Sequence, residues 1–102
     1  MEQEEIKMEK LKERIINQAK KSLEDAVICA KQITTENNVH NKTCILNTEY
    51  HLSQFLAYME ILWELDIDQY VEIGSETNKD RTAVALAIDK LYEIGGNKDG
   101  KY

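Results

Sequence analysis

Apolar residues recur every three or four positions along most of the chain, and that spacing predicts amphipathic helices. In the first segment, from about Glu2 to Glu36, Met8, Leu11, Ile15, Ala19, Leu23, Ala26, Ala30 and Ile33 share one face, which Ile16 and Val27 widen. The repeat follows a period of about 3.6 residues better than a strict heptad, so a globular bundle fits better than a supercoiled rod. Early acids (Glu2, Glu4, Glu5) and later lysines (Lys20, Lys21, Lys31) complement the dipole of such a helix.

The stretch from Thr34 to Asn47 breaks this pattern. Asn37, Asn38 and Asn41 favour turns, and Val39, Ile45 and Leu46 are expected to tuck the connection onto the bundle. Asn47 or Thr48 then reads as an N-cap, with Glu49 in the first turn. A second helix is expected from about Thr48 to Ile73, with Leu52, Phe55, Leu56, Met59, Leu62, Trp63, Ile67 and Tyr70 in one stripe. Ala57, Tyr58, Ile61 and Leu65 spread apolar character most of the way round, which places this helix centrally in a bundle or an oligomer. Gly74 is the expected left-handed residue at its end. A third helix follows from Ser75–Asn78 to about Ile94, with Val84, Ala87, Ile88 and Leu91 facing in. Gly95 and Gly96 should end it, leaving a disordered polar tail over 97–102. IDQYVEIGS (67–75) and IDKLYEIGG (88–96) resemble one another, and the echo reads as one helix-ending device used twice.

Composition strengthens the helical reading. There is no proline, and the glycines are confined to positions 74, 95, 96 and 100. A chain of 102 residues makes one domain, here 1–96. The expected fold is all-α: a three-helix up-down-up bundle with a long first helix. That helix outruns the third, so Ile6 and Met8 lack a cover within the chain. A homo-oligomer is therefore expected, with Ile6, Met8, Leu11 and Ile15 at its interface. Tyr58, Trp63 and Tyr70 are the candidate aromatic anchors, since each combines an apolar body with a polar tip.

A net charge of −6 argues against binding to duplex nucleic acid or to an anionic membrane. No apolar run is long enough to span a bilayer, and MEQEEIKMEK lacks the apolar core of a signal peptide. A cytoplasmic protein with Cys29 and Cys44 reduced is expected. Arg14 and Arg81 are the only arginines, while lysine, isoleucine and asparagine are frequent. That usage accompanies AT-rich codons and points to a low-GC bacterium or one of its phages or mobile elements.

Candidate chemistry is sparse. Cys29, Cys44, His40 and His51 lack the close ligand pairs of a zinc site. Glu60, Glu64 and Asp68 form a one-turn ladder that suits a divalent cation or, more simply, water. Neither a metal nor another cofactor is expected. No nucleophile–base arrangement or phosphate loop occurs, so catalysis is not expected either. The start of the third helix bends a local rule, because Lys79 and Arg81 stand where the dipole disfavours cations. With Thr77, Asn78 and Thr82 they form a candidate anion site, although Glu76 and Asp80 can neutralise both cations.

These readings lead to a small acidic interaction protein without catalytic activity, acting on an unidentified protein partner as an inhibitor or regulator. One alternative is an oligomeric binder of a phosphorylated or nucleotide-like molecule. Another is a carboxylate or Cys/His metal protein.

Overall fold

Two ion pairs, one half-buried and one exposed, fix the direction in which the chain returns on itself. The computed structural model describes the backbone of residues 2–99 and the side chains of residues 2–90. It is all-α, with helices α1 (Glu2–Ala30), α2 (Val39–Leu65), α3 (Ile67–Glu76) and α4 (Asn78–Asp99). Lys12 on α1 meets Asp66, just beyond α2, at 3.4 Å, and Lys20 meets Glu76 at the end of α3 at 3.6 Å. Val27 and Ala30 lie beside Val84 and Ala87 of α4. So α2 runs against α1, and α3 and α4 return alongside it. The described residues extend over 61 × 22 × 19 Å.

The inward face of α1 is the one its spacing implies. Ile15, Ala19, Leu23, Ala26 and Ala30 are buried. They pack with Ile45, Phe55, Met59 and Leu62 of α2, Ile73 of α3, and Val84 and Ala87 of α4. Small residues predominate on α1, so α2 approaches closely and supplies the bulk of the core.

Helix number and boundaries differ from expectation, and each difference has a local cause. The described residues form four helices rather than three. Helix α1 stops at Ala30 instead of about Glu36. Beyond it, Gln32 N–H donates to the Cys29 carbonyl and Ile33 N–H to that of Ala30, a tightening turn that keeps Ile33 buried. Helix α2 begins at Val39, well before Asn47 or Thr48, because Asn38 caps it: its side chain accepts from the Asn41 N–H at 2.8 Å. Thr48 is instead fully buried within α2, its hydroxyl donating to the Cys44 carbonyl at 2.7 Å. Of the three residues expected to tuck in this segment, Ile45 is buried, while Val39 and Leu46 are exposed.

The expected second helix divides at Asp66, whose extended backbone (φ −160°, ψ 90°) breaks the spiral. Its carboxylate accepts from the Gln69 N–H at 3.2 Å and starts α3. Gly74 is therefore not a left-handed terminus; it sits inside α3. Gly95 and Gly96 likewise lie inside α4, which continues to Asp99. Residues 100–102 of the expected tail lie outside the described residues. Neither half of the sequence echo ends a helix at its glycine: the first opens α3, and the second lies within α4.

A candidate docking groove between α2 and α3

The break at Asp66 turns α3 back against α2 and leaves a groove between them of about 600 Å³. Phe55, Leu56 and Met59 of α2 form one wall, and Tyr70, Val71 and Gly74 of α3 form the other. Phe55 and Met59 are buried floor residues, whereas Leu56 is 50% exposed and Val71 57%. Gly74 opens the wall further, since a Cβ built there would meet nothing within 4 Å. Near the α2–α3 corner, Trp63 lies edge-on to Tyr70 with ring centroids 5.1 Å apart and is itself 52% exposed.

The other end of the groove is polar, formed by Ser75, Asn78 and Arg81. Arg81 is the single charge among the described lining residues. It reaches back over α3 so that Nη2 donates to the Gly74 carbonyl at 2.9 Å and to Asn78 Oδ1 at 3.5 Å. Its Nε is buried and has no hydrogen-bond partner among the described residues. The ion pairs among the described residues do not include Arg81. The groove thus joins an apolar trough to a cation whose hydrogen-bonding capacity is incompletely used.

The five candidate anion contacts divide on this geometry. Asn78 and Arg81 line the groove. Thr77 is buried at the α3–α4 junction, its hydroxyl donating to the Ile73 carbonyl at 2.7 Å. The Thr82 hydroxyl donates to the Asn78 carbonyl at 2.8 Å, and Lys79 is exposed. Glu76 is engaged with Lys20.

The candidate interface residues divide as well. Ile6, Met8 and Leu11 are 54%, 41% and 42% exposed on the first turns of α1, where every residue from Glu2 to Leu11 is exposed. Ile15 is buried in the chain's own core. Tyr58 and Tyr70 are half-buried against that core, and Trp63 is exposed. The spacing places Leu56 in one stripe with Phe55 and Met59 and gives Val71 no role. An Asp66–x–x–Gln69 pattern, a capping signature, was the signal that could have revealed the break creating the groove.

The other chemical candidates come together only in part. Cys44 is buried, with Sγ 3.7 Å from His40 Nε2 and the same distance from Gln32 Oε1. Cys29 is half-buried; burial pushes its thiol pKa up, with neighbouring Cys44 and Asp25 adding to the effect. Such a thiol is a poor nucleophile at neutral pH. Asp68 lies beyond the Asp66 break, so the carboxylate ladder is divided between two helices. Among the described residues, no group of three or more His, Cys, Asp or Glu is placed to hold a metal ion. No helix among them is long and apolar enough to cross a membrane. No protein-family model, curated protein or solved structure matches this chain.

Proposed function

We propose that this chain is a non-catalytic protein-interaction module whose α2–α3 groove receives an amphipathic helix. The observation that carries this reading is the groove's mixed lining. Leu56, Val71 and Trp63 remain accessible around an apolar floor, and one cation stands at the far end. Helix-in-groove recognition uses this division: apolar anchors enter the trough while a charge at one end sets direction. Arg81 selects an occupant with acidic residues near the end of its apolar face. Binding of this kind suits the inhibitor or regulator expected from sequence.

The test compares immobilised wild-type protein with a Leu56→Asp/Val71→Asp variant in an extract of the source organism. Both residues are exposed, so the substitutions should leave the core intact. The expected result is a discrete protein retained by the wild type and lost by the variant. Identical retention by both would overturn the reading.

A second reading, a binder of a phosphorylated small molecule, rests on the unpartnered Nε of Arg81. The Thr77 and Thr82 hydroxyls already donate to helix carbonyls, which leaves them only acceptor capacity toward a ligand. Titration with inorganic phosphate and with a nucleoside monophosphate, for wild type and Arg81→Ala, decides it. Equal heat signals from the two proteins would remove this alternative.

A further inference from the structure

We infer that the helix received by the groove is the first part of α1 from a second copy of this chain, exchanged reciprocally in an end-to-end antiparallel dimer. This rests on the groove reading above and gives its occupant an identity.

The exposed turns of α1 have the required chemistry. Met8 and Leu11 continue the face that Ile15, Ala19 and Leu23 bury farther along the same helix. Glu4 and Glu5 lie one turn before Met8 on that same face. Ile6 points away from it and takes no part. The stripe therefore reads acid first and apolar second, which complements a groove that is apolar at the α2–α3 corner and cationic beyond it.

The register fits as well. Lys12 marks the level of Asp66 within one chain. From Lys12 back to Glu4 the helix advances about 12 Å, and from Asp66 forward to Gly74 it advances about 12 Å. With the two-fold axis placed at the Lys12–Asp66 level, Glu4 of one copy is level with Gly74 of the other. The Arg81 Nη2 group sits at that level, bonded to the Gly74 carbonyl. By the same count Met8 is level with Tyr70 of the second copy, which packs edge-on to Trp63, and Leu11 with Ile67. Ile67, Val71 and Trp63 are the exposed apolar residues available to receive them. Helical side chains lean toward their own N-terminus, which carries the Glu4 and Glu5 carboxylates toward the guanidinium. A two-fold axis satisfies both grooves at once, as an isologous dimer requires.

The experiment is sedimentation velocity of the full chain over a range of concentrations, with helicity followed by circular dichroism. Wild type should form a dimer. Met8→Asp/Leu11→Asp should be monomeric with unchanged helicity, since both positions are exposed. Arg81→Glu should weaken the dimer by about tenfold or more. Glu4→Lys/Glu5→Lys should weaken it similarly, and combining these changes with Arg81→Glu should restore it. A monomeric wild type, a dimer indifferent to the Met8 and Leu11 changes, or an absence of charge-swap rescue would each overturn the exchange. The exchanged dimer fills its own grooves and should retain only further copies of this chain from the extract, so the extract comparison reads the groove apart from the exchange only in a monomer. A monomer whose groove still retains a different protein overturns the exchange alone, and a monomer that retains none overturns both readings.

Discussion

Asn41 donates through Nδ2 to the Thr34 and Glu36 carbonyls at 2.9 and 2.7 Å, while its Oδ1 accepts from the Thr34 N–H at 2.7 Å. One buried amide thus ties Thr34 and Glu36 of the α1–α2 connection to α2. Replacing it with alanine leaves three backbone groups to find water at partly buried positions. Asn41→Ala should therefore lower the unfolding free energy by about 2 kcal/mol, read from urea denaturation. Loss below a few tenths of a kcal/mol would show that the connection does not depend on this side chain. Gly74 has the opposite character. It lies inside α3 with open space where a Cβ would stand, so it carries the entropic cost of glycine in a helix without a steric need for it. Gly74→Ala should raise stability by about 0.5–1 kcal/mol. A decrease would mean that the methyl group disturbs the Arg81 contact to the Gly74 carbonyl.

At the scale of the element, the junction at Asp66 separates what the sequence makes legible from what it hides. The inward face of α1 is readable because one apolar stripe with small residues admits a single orientation. Helix α2 is harder, since its apolar residues run most of the way round and periodicity cannot show where the helix begins or breaks. Thr48 looks like a cap because threonine caps helices, yet its hydroxyl is equally satisfied by the Cys44 carbonyl one turn earlier. Glycine drew attention as punctuation, whereas the effective breaks are the side-chain caps Asn38 and Asp66. The groove follows from the second of these caps, so missing the break concealed the site. The Asp66 carboxyl is held below the usual carboxylate range, first by the Gln69 N–H and then by the Lys12 ammonium, against the opposing effect of burial. An unfolded aspartate titrates near pH 3.9, roughly. The stabilisation is therefore complete above that value and fades as pH falls through the lower, folded one. Asp66→Asn keeps a capping oxygen and removes the charge. Wild type should melt higher than this variant at pH 7, with the gap closing below about pH 4. A gap independent of pH would show that the charge does not contribute.

At the scale of the molecule, the chain covers one side of its longest helices and leaves two complementary surfaces open. The first turns of α1 extend past the level of Asp66, and the α2–α3 groove faces away from the core with Leu56, Val71 and Trp63 at its margin. Helix lengths and all-round apolar character in α2 signalled unpartnered surface from sequence. Its location required the Asp66 corner and the fold of Arg81 over α3. The expectation that Ile15 belongs to an interface was displaced by packing: α2 reaches far enough along α1 to bury it. The most direct measurement places a photo-crosslinking amino acid at Val71, and separately at exposed Glu24 outside the groove, in the otherwise intact protein. Irradiation in the source-organism extract is followed by intact mass determination. A discrete protein adduct at Val71 and none at Glu24 is expected, with an added mass equal to one further copy if α1 is exchanged. Equal adducts at both positions, or none at Val71, would contradict the groove as a docking surface.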